Sequence, residues 1–277
     1  MKLKNIVKKS VLFCIPYGIV WIWRKNPIGI FKRMLKIRSN KKLIVFSCSH
    51  ERFGNEYGGF DVCLDLLNSK RNEKITVYSF GIGCDISFDL EMLTRYENVD
   101  VFAFDPTPIS IDWVNKQQLP ENFHFTPTGV SDRSGKEKMH LPKEHGVSFT
   151  VCNLESSDGN SIEVDMETIG EIMKQNKHEF VDVLKFDVEG SEFAILKALK
   201  FFDENQNGGV AGTSERKHLF GQLLIEFHER FIKNGQKELS NVIELLKQNG
   251  YHCFAATDYE YSFLNKDLYD KMLADKQ

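Results

Sequence analysis

The sequence predicts an α/β fold, a doubly wound and mostly parallel sheet with helices on both faces. Three observations predict it. Residues 75–108 read as strand, glycine turn, helix and strand; residues 181–199 (VDVLKFDVEGSEFAILKAL) repeat strand, turn and helix; and residues 221–264 add an apolar strand, an amphipathic helix and a terminal antiparallel hairpin.

In the first unit, Ile75–Phe80 is β-branched and aromatic, short enough to be a strand buried on both faces. At Gly81 and Gly83 the backbone turns tightly and admits a ligand closely. Ile86, Leu90 and Leu93 then fall on one face of a helix that Asp85 or Ser87 caps. A strand over 101–104 ends on Asp105, about twenty residues after the glycines, where a carboxylate accepts hydrogen bonds from ribose hydroxyls. Asp85-Ile86 stands where a dinucleotide fingerprint has its third glycine. A carboxylate there repels a pyrophosphate and suits a cationic ligand with a ribose, such as S-adenosylmethionine.

Before this unit, residues 42–47 read as a strand or buried lead-in, and residues 50–59 as a loop in which Tyr57 offers an aromatic face to the ligand. After it, residues 109–116 read as a helix and 123–130 as a strand. The turn at 131–135 follows, where Asp132 is placed to accept from an adenine amino group; a hairpin turn without that contact is the plain alternative. Short strands are predicted over 136–141, 148–152 and 161–164, and a helix over 167–175. In the second unit Lys185, Asp187 and Glu189 share one face near the carboxyl end of a strand over 181–188, and Glu226 and His228 end the strand over 221–227. Carboxyl ends of strands are where open α/β sheets bind ligands. Asp187, Glu189 and His228 are therefore the candidate catalytic cluster, with a Lys185–Asp187 ion pair as the structural alternative. A 15-residue polar loop over 203–217 separates the two strands, and helix 237–248 leads into the hairpin.

The 277 residues carry a net charge of −3, but residues 1–50 hold 12 Lys and Arg with no acid, against 24 Lys and Arg and 39 acids in the rest. So acidic a body excludes a nucleic-acid binder. The six cysteines form no CxxC pair, which reads as reduced thiols in a cytoplasm rather than a zinc site. Residues 11–23 are apolar, too short to span a bilayer and flanked by cations, with Tyr17, Trp21 and Trp23 among them. Residues 1–42 are thus expected to be a basic, aromatic helical extension, either touching an anionic membrane surface through residues 1–40 or packing on the body.

The blocks GIGCDISFD, FDPTP, TPTGVSDRSG, LKFDVEGSE and LLIEFH resemble the FkbM family of S-adenosylmethionine-dependent methyltransferases over roughly residues 52–265, DVEGSE being the most specific. The resemblance implies a class I methyltransferase sheet of seven strands, with one reversed strand inserted by the C-terminal hairpin, and makes residues 43–277 the methyltransferase domain. It implies S-adenosylmethionine as cofactor, held by Gly81, Gly83, Asp85, Asp105, Asp132 and Tyr57, and O-methylation of a sugar, polysaccharide or secondary-metabolite hydroxyl. Ser79, where many class I enzymes carry an acid, and Asp85 depart from the family pattern. Direct base catalysis by the Asp187–Glu189–His228 cluster is expected ahead of a metal ion. The expected place is cytoplasmic, either free or peripheral at the inner membrane face. The residues leave open an NAD-type oxidoreductase and a non-catalytic scaffold of a membrane-bound glycan-assembly pathway.

Overall fold

The computed structural model describes residues 36–70, 72–140, 161–202 and 218–275. The apolar run at 11–23, the strand expected over 148–152 and the loop over 203–217 lie outside them. Among the described residues no helix is long and apolar enough to cross a membrane.

The first strands form a hairpin, β1 (His50–Phe53) and β2 (Phe60–Cys63), followed by α1 (Leu64–Ser69). Next come β3 (Ile75–Phe80), α2 (Ser87–Arg95), β4 (Val99–Phe104), α3 (Pro108–Val114) and β5 (Phe123–Thr126). A small lateral sheet follows from β6 (Gly129–Val130), β7 (Gly135–His140) and β8 (Ser161–Glu167). The second half runs α4 (Ile169–Asn176), β9 (Val181–Phe186), α5 (Glu192–Ala198), β10 (Phe220–Glu226), α6 (Gly235–Gln248), β11 (Tyr251–Ala256), β12 (Glu260–Asn265) and α7 (Lys266–Ala274).

The central sheet has the order β11-β12-β10-β9-β3-β4-β5. β10, β9, β3, β4 and β5 pair in parallel, and β12 runs against both of its neighbours. Every residue of β3 and β9 is buried, which is why these strands read as nearly continuous apolar runs. Alternation divides the core between the two faces. Val77, Val101, Val183 and Leu224 pack with Leu67, Phe88, Met92 and Met272 on one side. Tyr78, Phe80, Leu184, Phe186, Leu223 and Ile225 pack with Ile172, Leu196, Val242 and Leu246 on the other.

Two expectations are corrected. The loop expected over 50–59 is shorter: 50–53 form β1, which pairs antiparallel with β2, and the buried Gln222 of β10 anchors the hairpin. Its Oε1 accepts from the Cys63 amide at 2.8 Å and its Nε2 donates to the Cys63 carbonyl at 3.0 Å, which satisfies a polar side chain inside an apolar strand. Residues 42–47 are not a buried strand. After a 3₁₀ turn over Lys41–Leu43 the chain lies along edge strand β11, the Val45 and Phe46 amides both reaching the Cys253 carbonyl, so Val45 stays 65% exposed. Just before it, Asn40 donates to the carbonyls of Thr257 and Asp258, and Lys36 pairs with Glu229 while lying 3.4 Å over the Tyr259 ring.

A buried polar site sits under the sheet's centre. Asp89 in the first turn of α2 is fully buried, and neither of its carboxylate oxygens has a partner at hydrogen-bonding geometry. Burial raises its carboxyl to about 6, against the pull of the Lys185 charge and the neighbouring Ser79 hydroxyl. A folded value above the unfolded one contributes stability below the unfolded pKa and loses it as pH rises through about 6. The stability difference between wild type and Asp89→Asn should therefore fall by roughly 2–3 kcal/mol between pH 4 and pH 8. Urea unfolding of both proteins at the two pH values measures it; a constant difference would mean that Asp89 titrates as it does in the unfolded chain.

Candidate active site

The carboxyl ends of β3, β4 and β9 meet in a cleft of about 290 Å³ lined by Gly81–Asp85, Phe104–Thr107, Gly129, Val130, Met139, Met166, Asp187–Glu189, Ser191 and Tyr57. Among the described residues, four of those lining the cleft are acids (Asp85, Asp105, Asp187 and Glu189) and none is Lys or Arg.

The turn after β3 is held by close backbone packing. Gly81 has φ +75°, and a Cβ there would lie 1.7 Å from the Asp187 carbonyl oxygen. Its amide donates to the Phe104 carbonyl at 2.9 Å, and the Asp187 amide donates to Phe80 at 3.0 Å, so the ends of three strands are tied together. Gly83, at φ +52°, faces open space, and a Cβ added there would meet nothing within 4 Å. Asp105, 4% exposed, braces this turn: Oδ2 accepts from the Gly83 amide at 2.9 Å, and Oδ1 accepts from the Thr107 amide and hydroxyl at 2.9 and 2.6 Å.

Asp85 lines the cleft, but its oxygens are already engaged. Oδ1 accepts from the Ser87 amide at 2.8 Å at the start of α2, and Oδ2 accepts from Asn55 Nδ2 at 2.5 Å. Burial works to raise this carboxyl; the Ser87 and Asn55 hydrogen bonds and the Lys185 charge outweigh it and hold it below the usual range. Asn55 also caps its own loop, accepting from the Tyr57 and Gly58 amides, and Gly54 and Asn55 donate to Glu91 and Ser87 of α2. Arg52 closes the loop's other side with a two-pronged pair to Glu260 at 2.7 and 3.1 Å. Tyr57 is thereby held at the cleft, 73% exposed. Burial and the charges of Asp187, Glu189, Glu226 and Asp85 raise its hydroxyl pKa.

At the other end, β9 and β10 gather the acids. His228 is 1% exposed, and its Nδ1 lies 2.7 Å from Oε1 of the fully buried Glu192. Its Nε2 faces Glu189 at 3.3 Å, Glu226 at 3.4 Å and Asp187 at 3.8 Å. Burial alone would lower the imidazole; the bond to Glu192 and the charges of Glu192, Glu189 and Asp187 raise it to about 9. Burial and the Glu226 charge raise Asp187 to about 7, against the opposing charges of Lys185 and His228. Glu189 takes a left-handed backbone, φ +50°, which a side-chain-bearing residue adopts at a cost of order 1–3 kcal/mol.

The structure thus brings Gly81, Gly83, Asp85, Asp105, Tyr57, Asp187 and Glu189 to one cleft. His228 joins the cluster from behind it and is absent from the lining; as a buried ring, 1% exposed, it does not stand in the cleft where a base was expected. Asp132 lies outside the lining as well, exposed in the turn after β6 and accepting from the Ser131 hydroxyl at 3.2 Å. The expected 123–130 strand splits there, β5 joining the central sheet and β6 the lateral one, which carries the turn away. Lys185 makes no ion pair with Asp187; it is buried on β9, 5.5 Å from the Phe60 ring. Sequence reasoning missed Glu192, although its signal was present in DVEGSE, where an acid opens the helix just after the turn.

Gly81→Ala should unfold or strongly destabilise the protein, because the new methyl meets backbone that cannot give way. Gly83→Ala should fold, with strain of about 1–2 kcal/mol. Thermal and urea melts of both variants check the contrast, and equal losses would mean that the turn relaxes around Gly81.

A family model described as the methyltransferase FkbM domain matches residues 84–253. The chain is 23% identical over 171 residues to "Methyltransferase sdnD" of Sordaria araneosa, covering 50% of this chain and 65% of that protein. It is 24% identical over 174 residues to "Probable methyltransferase-like protein 24" of Homo sapiens, covering 61% of this chain and 38% of that protein. The chain thus spans less than two thirds of the length of these relatives. Among solved structures, a Methanococcus jannaschii fibrillarin pre-rRNA processing protein is similar at a TM-score of 0.41 and 13% identity, over 72% of this chain and 68% of that one. With more than half of its length matched by the family model, the chain belongs to the methyltransferase FkbM domain family.

Proposed function

We propose that the chain is a class I-type O-methyltransferase that binds S-adenosylmethionine in this cleft and methylates a hydroxyl of a sugar, polysaccharide or secondary metabolite. The observation that carries the reading is the lining itself: among the described residues, a glycine turn and a braced ribose-side acid share one cleft with further acids and no cation. Among the described residues a pyrophosphate would meet carboxylates and no cationic side chain there, whereas a ligand with an ammonium and a sulfonium finds its complement. This disfavours the NAD-type reading.

Gly81 and Gly83 let the ligand approach the backbone, and Asp105, oriented by Gly83 and Thr107, accepts from ribose hydroxyls. Phe104, Val130, Met139 and Met166 supply apolar walls for a base. When bound, the cofactor supplies an activated methyl group to an oxygen nucleophile. The acceptor enters at the end marked by Tyr57, Asp187 and Glu189, where a carboxylate takes the hydroxyl proton as the new bond forms. His228 and Glu192 act behind these acids as positioning residues.

Calorimetry with S-adenosylhomocysteine should show binding to one site per chain, and NAD should show none; the reverse result would overturn the reading. Asp105→Ala should weaken that binding by ~1.5–3 kcal/mol, since each hydrogen bond to a charged acceptor is worth about that much. With tritiated S-adenosylmethionine and an extract fraction that accepts label, Asp187→Asn should slow transfer ~10²–10⁴-fold with cofactor affinity near wild type. Undiminished transfer would remove Asp187 from the chemistry.

A further inference from the structure

We propose that Asp187, Glu189 and His228 form a divalent-cation site at the acceptor end of the cleft. Each offers one ligand atom, and these atoms lie within 4.8 Å of one another. They stand just past the ends of β9 and β10, which pair in parallel and so set these segments side by side.

The spacing leaves room for an ion between the side chains. Charge-assisted N–H···O bonds run ~2.7–2.9 Å. The distances from His228 Nε2 to the oxygens of Glu189, Glu226 and Asp187 are 3.3, 3.4 and 3.8 Å, all longer than that. Two ligands held ~2.1 Å from one ion stand ~3–3.5 Å apart at octahedral or tetrahedral angles. The 3.3 Å between His228 Nε2 and Glu189 falls in that range, and the 3.8 Å to Asp187 lies just above it.

Two further observations point the same way. Asp187 Oδ1 is shielded from solvent and has no hydrogen-bond partner, an unmet demand that a buried carboxylate oxygen seldom carries without a cation. Behind the ring, the fully buried Glu192 accepts at Oε1 from His228 Nδ1 at 2.7 Å and from the Gly190 amide at 3.0 Å. A carboxylate fixed on one imidazole nitrogen sets the tautomer and aims the other nitrogen at a metal. Among the described residues Lys185 makes no ion pair with these acids, and Arg230 reaches Glu226 at 3.9 Å.

Two carboxylates and one imidazole suit a hard-to-borderline ion such as Mn²⁺, with Mg²⁺ held more weakly. Asp187 and Glu189 line the cleft, so the remaining coordination positions face it. They fit oxygen ligands, and the substrate class this selects is an acceptor with adjacent hydroxyls that chelate the ion. That last step rests on the methyl-transfer reading; the ion site does not.

The test is Mn²⁺ titration of chelator-treated full-length protein, followed by calorimetry and by the loss of the free-ion EPR signal. One ion per chain is expected, at micromolar dissociation constant. Glu189→Gln, at the cleft surface, and Asp187→Asn should each weaken it at least 10-fold, and Glu192→Gln, which touches no ion, should weaken it 10–100-fold. Failure of the folded wild type to bind Mn²⁺ at millimolar concentration, or affinity unchanged in folded Glu189→Gln and Asp187→Asn, overturns the site. S-adenosylhomocysteine binding measured in the same samples with chelator separates the two readings. If it persists without Mn²⁺ binding, only the ion site falls; if Mn²⁺ binds without it, only the cofactor reading falls.

Discussion

The contact between Gly81 and the Asp187 carbonyl is the constraint on which both halves of the cleft depend. A Cβ at position 81 would sit 1.7 Å from that oxygen, so the turn after β3 and the end of β9 are pressed backbone to backbone. The Asp187 amide donates to Phe80 and the Gly81 amide to Phe104, which extends the same registration to β4. The ligand-side turn and the acidic cluster are therefore one rigid body. Neither can shift without breaking a ladder bond of a fully buried strand.

On that frame the sheet concentrates negative charge at its carboxyl end and keeps its cation below. Lys185 is 3% exposed, and its charge lowers the carboxyl pKa of Asp85, Asp89 and Asp187 from underneath. Among the described residues, the charged side chains lining the cleft above it are all acids. A buried cation at that depth makes ionised carboxylates tolerable without offering a ligand an anion-binding group. The cost is visible in the raised Asp89 and Asp187 carboxyls, a pattern common where function, not stability, sets the arrangement.

Local pattern made much of this legible. Apolar runs bounded by glycine and terminal acids located β3, β4, β9 and β10, and the placement of Asp105, Asp187 and Glu189 at strand ends put them on the ligand side. The β1–β2 hairpin was not legible, because its anchor is Gln222, 159 residues away. The lead-in at 42–47 misled for the converse reason. An apolar run signals burial only when a partner covers it, and here the run lies along an edge with Val45 outward.

The order of residues is enough to set the alternation of strands and helices, the tight turn at Gly81 and Gly83, and the acids that end the strands, since each follows from periodicity and short-range sterics. What those acids do to one another is fixed only by the folded chain. That His228 stands behind the cleft with Glu192 on one nitrogen and three carboxylates facing the other depends on parallel pairing of β9 with β10 and on the fold of α5. Residue types alone rank direct base catalysis ahead of a bound ion. Interatomic distances are what the ion-site proposal adds to that ranking, because Coulomb energy, hydrogen bonding and coordination all turn on tenths of an ångström that no linear spacing encodes.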